Sequence, residues 1–330
     1  MPLLLSQDDL RPLFASAAFY PQLFQVIRDS LLRQPDDRPG VVSWLAFPTA
    51  EEHQQINLHL LTTPVEGTSL RIFPHRVGAQ ARDSMFTLLF NDQDGSLLAL
   101  LSLDDLGPLR TAAPVAYAAQ YLAPRQARTL ALLGSGVQAR YHLLGLRHAL
   151  PMLEQVRVYS PTVEHRRQFA TQMQAEIGVA VVPVDSARQA IEGAEVIAVT
   201  AASQQPIFAS SDVRPGALVT SIAGRAVPPD LSARARVVVP ALVGPLHHPS
   251  GWDPFPFKLN GGRDPSTVNV TLVDVLRGQG VARQQEEEIV LYMQSGSFAW
   301  DGAMVRWLYD WAMEQRVGTP FSISSQQHLT

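Results

Sequence analysis

Thr129-Leu130-Ala131-Leu132-Leu133-Gly134-Ser135-Gly136-Val137-Gln138-Ala139 is an apolar strand running straight into a glycine-bearing turn, and Arg140–Leu150 continues with helical periodicity. Strand, turn and helix in that order are the context in which Gly-x-Gly-x-x-Gly/Ala signifies a dinucleotide-binding loop. The first glycine permits the tight turn, Gly136 lets the backbone approach a pyrophosphate, and the small Ala139 lets helix and strand pack closely. The helix N-terminus then presents unpaired N–H groups to the anion. Gly134, Ser135, Gly136, Val137 and Gln138 are therefore candidate cofactor-binding residues.

On either side of this loop the pattern decides the fold class. From Arg128 onward short apolar segments alternate with amphipathic ones, the signature of an α/β doubly wound parallel sheet of Rossmann type. The strands read as Thr129–Leu133, Val156–Tyr159, Val179–Val184, Val196–Thr200, Ala217–Ile222 and Val237–Val239. An acidic residue normally ends the second strand and binds the ribose hydroxyls of NAD. This chain has Ser160-Pro161-Thr162, followed by Arg166 and Arg167. Hydroxyls with nearby guanidinium groups suit a 2′-phosphate, so Ser160, Thr162 and Arg166 join the cofactor candidates and NADP is expected over NAD.

The first 100 residues read as an α+β segment. Ser6 with Asp9 forms a capping-box signal, and Tyr20–Arg33 carries Leu23, Ile27 and Leu31 at helical spacing. Met85–Phe90 and Leu97–Leu101 flank the turn-forming stretch Asn91–Gly95 and predict a hairpin. At the other end, Phe298–Arg316 is a helix with Trp300, Met304, Trp307 and Trp311 along one side, a stripe that suits a core or a dimer interface.

Composition narrows the function classes. The 330 residues suffice for two domains, and 46% of them are hydrophobic. A net charge of -4 without a basic block offers no footprint for nucleic acid. The absence of cysteine rules out thiolate nucleophiles and thiolate metal sites, and adjacent His247 and His248 lack a third ligand at useful spacing, so no metal is expected. No apolar run approaches the roughly 18 residues of a membrane span. Met1–Leu5 lacks the basic flank of a signal peptide, and a cytoplasmic protein is expected. Lys258 is the only lysine, so any lysine-dependent mechanism has one candidate.

A second block sharpens the reading. Leu106–Ala119 is Leu-Gly-Pro-Leu-Arg-Thr-Ala-Ala-Pro-Val-Ala-Tyr-Ala-Ala, and with the Leu-Gly-Ser-Gly-Val-Gln-Ala-Arg block ending at Arg140 it resembles the ornithine cyclodeaminase and mu-crystallin family. The resemblance extends through Val156–Ser160, Ser295–Ala299 with Asp301, and Val317-Gly318-Thr319, and is weakest over Arg225–Pro265. It implies a split architecture: residues 1–112 and 298–330 as a substrate and dimerisation domain, residues 113–297 as the dinucleotide-binding domain, and a homodimer. It also implies hydride exchange between a nicotinamide and an amino- or imino-acid carbon.

By the same resemblance Arg110 grips the substrate carboxylate, for which a planar guanidinium is well shaped. Thr111, Thr200, Ala201, Ala202 and Ser295 fall to the cofactor. Arg71 stands where many members carry lysine; it can clamp a carboxylate but does not donate a proton at working pH. Asp301 matches an acidic position at the start of the last helix, where the resemblance makes it a catalytic candidate and helix capping or orientation is the alternative. After the strand Ala217–Ile222, where cyclodeaminases carry an acid, the chain reads Gly224-Arg225-Ala226-Val227-Pro228, and the nearest acid is Asp230. The leading reading is an NAD(P)-dependent reductase of a small imino acid or dehydrogenase of an amino acid. The alternatives are an amino-acid cyclodeaminase and a dinucleotide-binding protein without turnover.

Overall fold

The computed structural model describes residues 1–33, 41–48, 54–63, 67–76, 85–222, 226–241, 267–294 and 299–322. Its described parts fall into two compact units, 1–107 with 299–322 and 108–241 with 267–294.

The first unit opens with a strand, β1 (Leu3–Ser6), where the sequence suggested only an apolar terminus. Helix α1 (Gln7–Phe14) starts at the expected capping box: the Asp9 N–H donates to Ser6 Oγ, and the Ser6 N–H donates to Asp9 Oδ2 at 2.8 Å. Helix α2 (Phe19–Arg33) begins one residue earlier than its periodicity predicts. Strands β2 (Val41–Pro48), β3 (Gln54–Thr63), β4 (Gly67–Arg76), β5 (Phe86–Phe90) and β6 (Leu97–Ser102) form an antiparallel succession. The expected hairpin is β5–β6, closed by a Gly95 N–H to Asn91 carbonyl bond of 2.9 Å with Gly95 at φ +70°.

Helix α3 (Leu106–Leu122) then leads to the second unit. Its elements are β7 (Thr129–Leu133), α4 (Val137–Ala149), β8 (Gln155–Tyr159), α5 (Val163–Ile177), β9 (Ala180–Pro183), α6 (Ala187–Ile191), β10 (Val196–Val199), β11 (Leu218–Ser221), α7 (Leu231–Arg234), β12 (Ala235–Val239), β13 (Val270–Thr271), α8 (Leu272–Leu276) and β14 (Ile289–Met293). The sheet is parallel in the order β13-β12-β14-β11-β10-β7-β8-β9. All six expected strands are present, and two unexpected ones, β13 and β14, complete the sheet. Strand order reverses between β7 and β10, and ligands of such sheets bind at the carboxyl ends of strands beside that reversal.

The chain closes in the first unit with α9 (Ala299–Gln315) and β15 (Thr319–Pro320), which pairs with β1. Helix α9 packs on α2 and across β3, β4 and β5. Trp300 and Met304 of the expected stripe are fully buried, and Trp307 stacks at 5.9 Å from Phe19. The opposite face of this sheet carries Leu4, Leu100, Leu88, Leu70 and Leu60 as successive cross-strand partners, each half-buried or exposed. No described helix is long and apolar enough to cross a membrane.

Candidate active site

The glycine loop lies at the strand reversal. Gly134 has φ +131°, a conformation that side chains rarely adopt, and its N–H donates to the Tyr159 carbonyl at 2.8 Å. A Cβ added to it would stand 2.5 Å from Thr200 Oγ1, which itself donates to the Leu133 carbonyl. Thr200 at the end of β10 thus fixes the loop that follows β7. Gly136 is different: its φ of -94° suits any residue, yet a Cβ there meets nothing within 4 Å. Its lack of a side chain leaves open space at the start of α4, where no side chain caps the helix. An open surface before an uncapped helix N-terminus fits a pyrophosphate. Val137 in the first turn is exposed, Gln138 is half-buried, and Ala139 is fully buried against the sheet, as the spacing demands.

The end of β8 is joined to this loop. Ser135 Oγ donates to Ser160 Oγ at 2.8 Å, and Ser160 is buried. Arg166 is buried as well: it donates to the Ser160 carbonyl at 3.1 Å, pairs with Asp185, and lies over the Tyr159 ring at 5.9 Å. The guanidinium is therefore the inner wall of this corner, with Arg167 and Thr162 exposed outside it. Asp185 escaped the sequence reading because it lies 19 residues beyond Arg166, past β9. Thr200 and Ala201 are half-buried and Ala202 is exposed beyond β10. Ser295, Arg225, His247, His248 and Lys258 lie outside the described residues.

In the first unit, Arg71 and Asp301 come together. Arg71 donates through Nη2 to Asp301 Oδ2 at 3.2 Å, and both residues are at least nine-tenths buried. Cross-strand pairing places Arg71 on β4 opposite Thr87 on β5, also buried, while Asp301 comes from the first turn of α9. A carboxylate in that turn also complements the helix dipole. A buried ion pair of this kind holds the guanidinium in one orientation.

Arg110 and Thr111 sit in α3, half-buried. Asp105, just ahead of α3, accepts from Gln7 Nε2 at 2.6 Å. Asp230, the acid nearest the position used by cyclodeaminases, accepts from the Ser210 hydroxyl and precedes α7. Two residues missed in the sequence are Tyr292 and Gln294. Tyr292 donates to Gln294 Oε1 at 3.3 Å, and Gln294 Nε2 donates to the Thr111 carbonyl at 3.1 Å. Among the described residues, no group of three or more His, Asp or Glu side chains converges on a point that would hold a metal.

The chain has relatives among known proteins. A Delta(1)-pyrroline-2-carboxylate reductase of Bacillus cereus is 27% identical over 236 residues, 70% of this chain and 72% of that protein. The structure of Thermococcus litoralis Delta(1)-pyrroline-2-carboxylate reductase in complex with NADH and L-proline superposes with a TM-score of 0.81 at 22% identity, covering 97% of this chain and 100% of that one. An archaeal alanine dehydrogenase dimer with bound NAD gives a TM-score of 0.82 at 18% identity, covering 98% and 99%. These two structures share the fold. The sequence also matches the profile of the Ornithine cyclodeaminase/mu-crystallin family over residues 74–316. That match spans well over half of the chain, which therefore belongs to the ornithine cyclodeaminase/mu-crystallin family.

Proposed function

We propose that the protein is a nicotinamide-dinucleotide-dependent oxidoreductase that reduces a small carboxylate-bearing imine, or oxidises the corresponding amino acid. The observation that carries this is the loop at the strand reversal: Gly134 locked against Thr200, and Gly136 leaving open space before an uncapped helix. A bound nicotinamide supplies or takes up the hydride; the chain binds, orients and excludes water. Ser135 and Ser160 face the adenosine side of the loop. Arg110 takes the substrate carboxylate. Arg71 keeps a second cationic role, with Asp301 as the residue that orients it. The relatives named as reductases of pyrroline-2-carboxylate support a cyclic imine with an adjacent carboxylate as the substrate class.

NADP is the preferred cofactor in this reading, because Ser160 and Thr162 follow β8 where a ribose-binding carboxylate would stand. The working form is a homodimer, in which a second copy covers the row Leu4, Leu100, Leu88, Leu70 and Leu60. An apolar row running across five strands is more than scattered surface leucines contribute, and it marks a protein interface.

The test is a panel of cyclic imino acids, and of 2-keto acids with ammonia or methylamine, followed at the reduced-nicotinamide absorbance. Steady cofactor consumption with a carboxylate-bearing imine is the expected result. Ornithine converted to proline and ammonia without net consumption would replace this reading by a cyclodeaminase. Tight dinucleotide binding with no turnover on any substrate would replace it by a binding protein.

A further inference from the structure

Helix α3 contains a defect at the place where it carries Arg110. In an α-helix the N–H of residue 114 donates to the carbonyl of residue 110, but position 114 is proline. The ring has no N–H and crowds the carbonyl four residues earlier, so the turn Arg110–Thr111 is held less firmly by its own helix.

The segment containing β14 braces the neighbouring carbonyl of the same turn from outside. Gln294, 2% exposed, reaches from the end of β14 and donates through Nε2 to the carbonyl of Thr111, next to the gap. Its own backbone N–H is tied to the Ser221 carbonyl at 3.1 Å, at the end of β11. Tyr292, two residues earlier and so on the same side of the strand, donates its hydroxyl to Gln294 Oε1. Burial pushes the Tyr292 phenol upward, so the hydroxyl stays protonated and remains a donor. The donor and acceptor halves of the Gln294 amide are thereby assigned, and the side chain has one orientation. The same segment grips the far end of α3, where Arg283 donates to the Leu122 carbonyl at 3.1 Å.

We infer that Gln294, oriented by Tyr292, is a positioning residue that fixes the proline-weakened turn of α3 and thereby the direction of the Arg110 guanidinium. This rests on the proposed role of Arg110 as the carboxylate-binding residue. It assigns Gln294 no contact with substrate or cofactor. The consequence is a selective one: loss of the strap disturbs capture of the carboxylate-bearing substrate, while the glycine loop, fixed by its own bonds to Tyr159 and Thr200, keeps its geometry.

The experiment measures KM, kcat and NADPH affinity for the wild type and for Arg110→Ala, Gln294→Leu, Tyr292→Phe, Pro114→Ala and Gln294→Leu/Pro114→Ala, on the imino acid that the substrate panel identifies. Gln294→Leu should raise KM about tenfold, the effect of one lost buried hydrogen bond, with kcat changed less than about threefold and NADPH affinity, which the loosened turn reaches only through Thr111, changed less than about threefold. Tyr292→Phe should give a smaller rise in the same direction, and it carries the test if Gln294→Leu fails to fold. Pro114→Ala restores the N–H for the Arg110 carbonyl, so the double variant should reverse most of the rise in KM. A merely structural role for Gln294 would not be relieved at that position. If Arg110→Ala raises KM but Gln294→Leu and Tyr292→Phe do not, or if Pro114→Ala gives no rescue, the strap is refuted and the role of Arg110 stands. If Arg110→Ala leaves KM unchanged, the proposed role of Arg110 fails, and the strap loses its function with it.

Discussion

Protonation of one buried histidine should weaken helix α4, which follows the glycine loop, in mild acid. His142, one turn into α4, is 1% exposed, and its ring donates through Nδ1 to the Gln138 carbonyl at 2.7 Å. Burial pushes its pKa down to about 4, against a partial opposing effect of that hydrogen bond. Because the folded state resists protonation, the contribution of His142 to stability is fully present above about pH 6.5. It is lost as the pH falls from there toward 4. Integrated over that window the loss is about 3 kcal/mol, of which about 2 kcal/mol has gone by pH 5. Replacement by asparagine keeps a donor near the Nδ1 position and removes the titration. Urea midpoints of wild type and His142→Asn, measured from pH 7.5 to 4.5, should converge or cross as the pH falls, with the wild type losing about 2 kcal/mol more by pH 5. Parallel curves would refute the reasoning, since all other carboxylates and histidines are shared by the two proteins.

Three further outcomes are expected. Asp301→Ala, which leaves the Arg71 guanidinium buried without its carboxylate, should cost about 3–5 kcal/mol of stability in urea titration, whereas Arg71→Met with Asp301→Leu should recover most of that loss. Asp185→Ala removes an exposed negative charge from the corner held by Arg166 and should shift binding toward NADPH over NADH by about threefold, an effect that shrinks at high salt. Leu88→Glu, in the middle of the leucine row, should convert a dimer into a monomer in sedimentation velocity; an unchanged sedimentation coefficient would remove that face as the interface.

What the sequence revealed and what it withheld follow from the range of the interactions involved. The glycine loop was legible because its marks are local: the apolar strand, Gly134 with its positive φ, and Gly136 two residues on at the start of the helix all lie within one short stretch. The Ser6–Asp9 cap and the β5–β6 hairpin were legible for the same reason. Strand β14 was not, because Ile289–Met293 is a short buried run without alternation and stands outside the regular strand–helix succession that marked the equally buried β10 and β11. Strand β1 was hidden by its position at an apolar terminus, and β13 by its length of two residues. Arg71 and Asp301 were each singled out, but their pairing spans 230 positions and leaves no local mark. The Gln294–Thr111 bond spans 183 positions, and a glutamine after an apolar strand looks like any surface glutamine until the fold buries it. Arg166 shows the converse: a helix-start arginine that reads as a phosphate ligand is largely committed to Ser160 and Asp185.

The central claim, a dinucleotide pyrophosphate over the Gly136 backbone, is tested most directly by Gly136→Asp. Position 136 is the N-cap of α4 with an extended backbone and open space around its Cβ. Aspartate is a favoured N-cap, so the variant should be as stable as the wild type or more so by up to about 1 kcal/mol. The same carboxylate would occupy and repel the pyrophosphate, so titration with NADPH and with NADH should show affinity reduced at least about a hundredfold beside tight binding by the wild type. Opposite movement of stability and affinity is the expected result. Undiminished dinucleotide binding by Gly136→Asp, or no binding by the wild type, would contradict it.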